Sequence, residues 1–541
     1  MQYPIQDPKI PIHRHQASIM PLLSLSVYQL LLAFAATNVL RTLTFNRFFL
    51  RWLTSHKLAC YLPPTNNEIR QLVEKGSNGN KKNKSSKPKN VRNSDRDNEN
   101  KNNDVNIKVP AQDLVNLKLE KKLLKVQDIE KLHYATDLEW IVDLGLMSMF
   151  CCTLTQVQFH FYPDSSEWNF SVLWALLVVL YCAKVLSSLT ATYFRNDDSI
   201  GERSICIVSA CVFLLIAMCI LIADERYLGL GLEKAHHSIS QSISSLSTFN
   251  HENRTLADQP NFKAKRSISV IFTKFTVAMV CSFFGVIFTF PGFRFGQLHE
   301  TMVNNQETGF FLRSIYLLNF VSPLFIACLW LEPVSRFVIT RSYGLIANRL
   351  VFDLFRIFCI ITLNVARIYI APRYIAVFLA SSSQRMERLR HRGGTTNNQE
   401  IQAIVTSIFN YVNVVTIQYV LPALMCLFAA VILLSTGAAS PKISDTTSLG
   451  STILQTQQNS TPDHMNATDN VVSSNQTEDL SLPDRLIKLY GVATTLQWSN
   501  LKKILSPDVS KGIFGFATWW LHFAWFCTTA TGVLYHKYFV H

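Results

Sequence analysis

The chain has 541 residues, of which 48% are apolar and only 16% charged, with a formal net charge of +14. Soluble domains carry about 25% charged residues, mixed with the apolar ones. Here the two are segregated: Arg41–Asp137 holds 20 Lys/Arg against 11 Asp/Glu, whereas Ala17–Leu40 and Ile401–Pro441 hold no charge at all. That pattern excludes a soluble enzyme and a secreted disulfide scaffold. It predicts an all-α fold, a polytopic transmembrane helical bundle of about nine spans.

In chain order, a short tail (1–16) precedes a first span or signal anchor (17–40). Its apolar run exceeds a signal h-region, and Arg41, Arg47 and Arg51 follow it, so it reads as an anchor with its N-terminus outside. A cleaved signal would leave eight spans. Residues 41–137 form a basic cytosolic segment, in which Gly76–Ile107 is Asn/Lys/Ser-rich and expected to be disordered. Leu114–Leu132 has apolar residues at helical spacing among many Lys. It reads as a basic helix on the inner leaflet or a solvated helix on the cytosolic face. The bundle occupies 138–436, with spans near 140–162, 169–194, 204–223, 268–290, 314–331, 350–380 and 410–436. A Ser/Thr/Asn-rich external loop (437–512), a last span (513–535) and a cytosolic tail (536–541) complete the chain. Pro21, Pro323, Pro372 and Pro422 lie inside spans, where each removes a backbone donor. Eleven of the twelve cysteines lie in apolar runs and only Cys60 in a polar one; with no CxxC pair, they read as packing residues.

Glycosylation sequons fix the parity of the spans. Asn-x-Ser/Thr occurs at Asn83, Asn169, Asn253, Asn459, Asn466 and Asn475. With nine spans, Asn253, Asn459, Asn466 and Asn475 face the lumen or exterior and Asn83 the cytosol. Asn169 is external but hugs the membrane, and Pro462 makes Asn459 a poor acceptor. Asn253 and Asn466 share a side only if an even number of helices separates them. That requires 350–380 to cross despite Asp353, Arg356, Arg367 and Arg373. Lys263, Lys265, Arg266, Arg336, Arg341 and Arg349 then lie outside, against the usual charge bias.

Ionisable residues at membrane depth are costly, about 2.5–3.5 kcal/mol each on insertion scales, and so are candidate sites. They are Asp143, Lys184 near the middle of the third span, Lys274 two turns inside the fifth, and Asp353, Arg356 and Arg367 in the seventh. At 100° per residue, Asp353, Arg356, Asn364 and Arg367 form one stripe, whereas Arg373 points away and can snorkel. Asp353 and Arg356 can pair at i, i+3. Arg367 then needs a partner from another helix, and Asp143 is the remaining deep acid. The stripe reads first as buried pairs that fix helix packing, then as an aqueous pathway, then as a partner-binding surface.

Enzyme signatures are absent from the sequence. His299-Glu300 lacks the second His of a zinc-protease helix, and Asp143 and Asp353 lack the Gly-rich context of intramembrane aspartyl proteases. His522, beside Trp519 and Trp520, has no nucleophile nearby and reads as a polar helix contact. Gly229-Leu-Gly231 follows no strand, and no nucleic-acid module is present. No catalytic residue, cofactor or metal site is expected, and no nucleic-acid partner.

Several strings carry a resemblance: WIVD at Trp140–Asp143, GERSICI at Gly201–Ile207, CSFFGVIFTFPGFRFGQLH at Cys281–His299, SPLFIACLWLEP at Ser322–Pro333, QYVLPALM at Gln418–Met425 and YHKY at Tyr535–Tyr538. In this order the chain, from about residue 28 to its end, resembles the transmembrane protein 161 family. The N-terminal tail, the Asn/Lys-rich insert and the sequon-bearing loop depart from it. The resemblance implies a multi-pass glycoprotein of the secretory pathway and plasma membrane, without catalytic activity. It also implies modulation of potassium and calcium currents through ion channels or other membrane proteins, as in cardiac rhythm, with another branch linked to oxidative stress. Some members carry a cleaved signal. The alternative reading of the residues is a transporter or channel lined by the 350–380 helix.

Glycans are expected at Asn253, Asn466 and Asn475 and none at Asn83. Endoglycosidase shifts on single Asn→Gln variants measure this, and a glycan at Asn83 would invert the first loop and remove the nine-span arrangement.

Overall fold

The computed structural model describes residues 25–42, 48–80, 107–110, 114, 117–161, 169, 171–195, 200–223, 228–229, 231–239, 270–305, 309–341, 349–437 and 507–539. The sequons at Asn83, Asn253, Asn459, Asn466 and Asn475 lie outside them, as do residues 17–24 of the first expected span.

Fourteen helices are described here: α1 (Leu25–Thr42), α2 (Phe48–Ser55), α3 (Asn66–Asn80), α4 (Val126–Glu130), α5 (Ala135–Phe161), α6 (Ser171–Arg195), α7 (Ile200–Ile222), α8 (Val270–Asn304), α9 (Phe310–Cys328), α10 (Glu332–Arg341), α11 (Arg349–His391), α12 (Asn398–Asn410), α13 (Val412–Gly437) and α14 (Pro507–Phe539). Among the described residues, seven stretches are long and apolar enough to cross a membrane: α5 to α9, α11, and α12 with α13. The first and last expected spans fall outside that set on composition. The strongly apolar part of α1 is only Gln29–Val39, and the middle of α14 is rich in Trp, Thr and His.

Contacts between helices nevertheless set α14 alongside α8. Trp520 Nε1 donates to Cys281 O at 2.9 Å. Further along, Gly292 faces Thr528 and Gly296 faces Gly532. Rising numbers match rising numbers, so α14 runs parallel to α8 along the bundle. Two other pairs are antiparallel: α5 and α6 meet at Cys152–Ser171 and at Asp137–Tyr181, and α9 and α14 at Ala327–Trp519 and Phe320–Phe526. These directions fit helices that alternate in direction along the chain. They put residues 222, 270, 437 and 507, which flank the two sequon-bearing loops, at one end of the bundle. At that upper end Leu228 bridges Leu331, and Lys511 pairs with Asp353 at 3.0 Å.

Two span limits move. α8 continues through Pro291 to Asn304, where an end at 290 was expected, because neighbouring helices hold its two halves together. α11 runs 43 residues, from Arg349 to His391. The 332–349 loop contains α10.

The basic segment is folded over much of its length. Strands β1 (Ala59–Tyr61) and β3 (Lys121–Leu123) pair antiparallel, as do β2 (Lys108–Pro110) and β4 (Thr395–Asn397). Ile69, Val109, Leu114 and Leu117 share a small core with Met386, Leu389, Ile401 and Val405. This subdomain caps the lower end. Leu114–Leu132 is therefore not one helix: its middle is a strand, because pairing with Ala59–Tyr61 overrides local helix preference. Helix α3 also extends through Gly76–Asn80, into the stretch expected to be disordered; 81–106 lie outside the described residues. Cys60 is buried on β1 despite its polar surroundings. Burial pushes its thiol up, with Lys122 pulling part of the way back.

The α8–α14 seam brings two helix backbones close together. A Cβ at Gly296 would lie 2.5 Å from the Gly532 and Val533 backbone. Alanine gains about 1 kcal/mol over glycine inside a helix, but overpacking costs about 1–3 kcal/mol, and here the obstacle is backbone. At Gly145 the added Cβ would meet only the Phe428 ring at an ordinary 3.5 Å. Gly296→Ala is expected to lower the unfolding midpoint in detergent, and Gly145→Ala to hold or raise it. A raised midpoint for Gly296→Ala would contradict the seam.

Candidate functional site: a buried arginine cluster

The stripe on α11 is buried as the helical periodicity predicts. Arg356, Asn364 and Arg367 are 8%, 3% and 2% exposed, while Arg373 points outward. Near the upper end Arg356 Nη2 donates to Asp353 Oδ1 at 2.9 Å. Its guanidinium also lies 3.6 Å from the centroid of the Trp330 ring.

Two turns deeper, Asn364 and His522 of α14 meet at 3.1 Å. The Asn364 amide also donates to Ile360 O. His522 Nδ1 lies 2.7 Å from Thr518 O, and a carbonyl can only accept, so Nδ1 carries the proton. Nε2 then accepts from Asn364, and His522 is the neutral tautomer. It is the polar helix contact expected of it.

Arg367 occupies the centre. The structure corrects its expected partner: it does not pair with Asp143. Arg367 Nε donates to Asn319 Oδ1 at 3.2 Å and Nη2 to the Asn319 main-chain oxygen at 2.9 Å. That carbonyl is available for a simple reason. In α9 it would accept from the N–H four residues on, but that residue is Pro323, which has none. Ser322 Oγ shares the same oxygen at 3.0 Å. The Asn319 amide nitrogen donates to Tyr374 Oη and Tyr419 Oη, both at 3.2 Å. Tyr419 returns its own proton to Arg367 O, and Tyr374 lies 3.3 Å from His299 Nδ1. The rings of Phe295 and Trp525 flank the guanidinium, each centroid 5.4 Å away, an arrangement that favours a cation. Among the described residues no carboxylate reaches Arg367.

The other candidates do not join this cluster. Asp143 is half-buried on α5 beside Phe48, Leu50 and Glu139; it failed as partner because α5 packs mainly on α1, α6 and α13, not on α11. Lys184 faces out of the bundle, its ammonium 5.2 Å from the Tyr181 ring. Lys274 sits one turn into α8 and pairs with Glu233 at 3.9 Å, so it belongs to the upper end rather than to membrane depth. Asn169, the described sequon residue, caps α6: its Oδ1 accepts from Ser171 N at 3.0 Å and from Ser171 Oγ.

Sequence reasoning missed Asn319, His299, Tyr374, Tyr419, Phe295 and Trp525. The usable signal was an Asn four residues before a proline in an apolar run, a polar side chain beside a freed carbonyl. Among the described residues, no three His, Cys, Asp or Glu side chains converge on a point that could hold a metal. The cluster holds the Arg367 guanidinium, the neutral His522 imidazole bonded to Asn364, and the His299 imidazole beside the Tyr374 phenol.

Long helices with apolar outer faces, such as Ile271, Phe272, Leu215 and Phe358, all more than half exposed, around a buried polar core define a polytopic helical membrane protein. The family described as predicted transmembrane protein 161AB matches residues 24–540, and the chain belongs to it. No solved structure matches the chain. The family's FTFPGFRFGQLH block supplies Gly292 and Gly296 to the α14 seam and Phe295 and His299 to the cluster.

Losing Arg367 orphans the buried Asn319 Oδ1, at about 1–3 kcal/mol, and leaves the Asn319 main-chain oxygen to Ser322 Oγ alone, whereas Arg373 is exposed. Arg367→Leu is expected to lower the unfolding midpoint and surface expression far more than Arg373→Leu. Adding Asp143→Leu to Arg367→Leu is expected to restore nothing. Equal tolerance of the two single variants would show that the stripe is not buried in the working protein.

Proposed function

We propose that the protein is a non-enzymatic membrane glycoprotein of the secretory pathway and plasma membrane. It modulates ion conductance, of the potassium and calcium type, through contacts with other membrane proteins. The observation that supports this over a channel or transporter is the state of Arg367. A conducting path for K⁺ or Ca²⁺ lined by α11 would have to pass a positive charge that no carboxylate offsets, and such a charge is a barrier to cations. The guanidinium is instead bonded to Asn319 and flanked by aromatic rings, as in a structural core. The polar stripe therefore fixes helix packing and leaves the outer faces of the bundle for lipid and partners. A link to oxidative stress gains no support from the cysteines, which are spread through packed helices.

Reconstitution of the purified protein in liposomes tests the division between modulator and conductor. The expected result is no flux of K⁺, Ca²⁺ or H⁺ above that of empty vesicles, together with altered potassium or calcium currents when the protein is co-expressed with a channel in voltage-clamped cells. Flux in liposomes that changes with Arg367→Leu would assign the pathway to the protein itself.

A further inference from the structure

The lower end of the bundle contains a polar cavity of about 170 Å³ that the buried cluster does not use. It is lined by Tyr193, Phe290, Phe293, Arg294, Gln297, Gln418 and His536. Four helices converge there: Tyr193 lies two residues from the end of α6 and His536 three from the end of α14, while Gln418 is in the second turn of α13. The stacked rings of Tyr193 and Phe290, 4.2 Å between centroids, form one wall.

Two of its groups point to a ligand. Gln418 is 2% exposed; its amide nitrogen donates to Tyr193 Oη at 3.3 Å, but its Oε1 is buried with no donor. Such an orphaned acceptor costs about 1–3 kcal/mol unless something donates to it. Arg294 supplies the opposite chemistry. It uses one N–H on Gln297 at 3.2 Å and lies near the Phe378 ring, and among the described residues it forms no ion pair. Arg294 and Arg388 both act electrostatically on Arg385, so the surroundings are positive. An occupant must therefore carry an anion for Arg294 and a hydroxyl donor for Gln418 Oε1. It must also reach the end of a helical bundle in a membrane, where basic pockets between helices take lipid head groups.

We propose that this cavity holds the head group of a hydroxyl-bearing anionic phospholipid of the phosphatidylinositol type, its phosphate on Arg294 and a ring hydroxyl donated to Gln418. Serine phospholipid shares the phosphate, but the donor it would bring to Gln418 is an ammonium, which the positive surroundings of Arg294, Arg385 and Arg388 disfavour.

Binding is read with the full-length protein in phosphatidylcholine nanodiscs doped with fluorescent phosphatidylinositol. Unlabelled phosphatidylinositol, phosphatidylserine, inositol 1-phosphate and inorganic phosphate serve as competitors. The expected result is displacement by phosphatidylinositol at about tenfold lower concentration than by phosphatidylserine, the ratio one charge-assisted or buried hydrogen bond gives. The soluble phosphates should compete poorly. Arg294→Gln, a change at a half-buried side chain, should weaken both lipids about tenfold, and Arg294→Lys should restore much of the binding. Gln418→Leu should erase the preference between the lipids while leaving anionic binding. The wild-type comparison needs no substitution and stands even if a variant fails to fold. Equal displacement by the two lipids, full competition by inorganic phosphate, or unchanged binding by Arg294→Gln would each overturn the assignment.

Discussion

The bundle is organised around one missing hydrogen bond. Pro323 has no N–H for the carbonyl of Asn319, and that oxygen and the Asn319 side-chain Oδ1 each receive one bond from Arg367. A guanidinium taken out of water needs several fixed acceptors or an ion partner. Here a helix break supplies the acceptors, so no carboxylate has to be buried with it. The same asparagine then fixes Tyr374 and Tyr419, which places α9, α11 and α13 at one crossing.

The remaining helices close on that crossing by other means. Trp525 and Phe295 bring α14 and α8 against the cation, and those two helices approach closely because Gly292, Gly296 and Gly532 present no side chains between them. Small residues are the usual route to tight packing in lipid, where apolar burial alone gives helices no reason to associate. Polar bonding at the centre and close backbone packing at the seam are thus complementary. One sets which helices meet, the other how near they come.

Much of this was legible in the sequence, and the limits are physical. The stripe of Asp353, Arg356, Asn364 and Arg367 follows from helical geometry alone, and an apolar chain must bury it. The Asp353–Arg356 pair is local and was readable for the same reason. The partner of Arg367 was not, because charge suggested an acid, whereas the real acceptors are neutral and made available by a proline on another helix. Leu114–Leu132 misled in a parallel way: its helical spacing is real, but its strand partner lies some sixty residues earlier. The fifth expected span stops at 290, whereas α8 continues through Pro291 to Asn304. In the bundle, Gly292 is already pressed against Thr528, and the contact carries α8 onward.

Helix α11 links these parts mechanically. Its 43 residues extend about 65 Å at 1.5 Å per residue, longer than the hydrocarbon core of a bilayer, about 30 Å. Its upper end is tied by Asp353 to Lys511, its middle by Arg367 to Asn319, and its lower end by Arg390, which donates to Leu114 O at 2.9 Å and Leu117 O at 2.7 Å. Those carbonyls belong to the subdomain built from the basic segment. One continuous helix therefore connects the upper ion pairs, the buried cation and the lower cap, and Pro372 does not interrupt it. The position of the lower cap is thus set by the buried core, because displacing Arg390 along the helix axis would drag Arg367 away from its Asn319 acceptors.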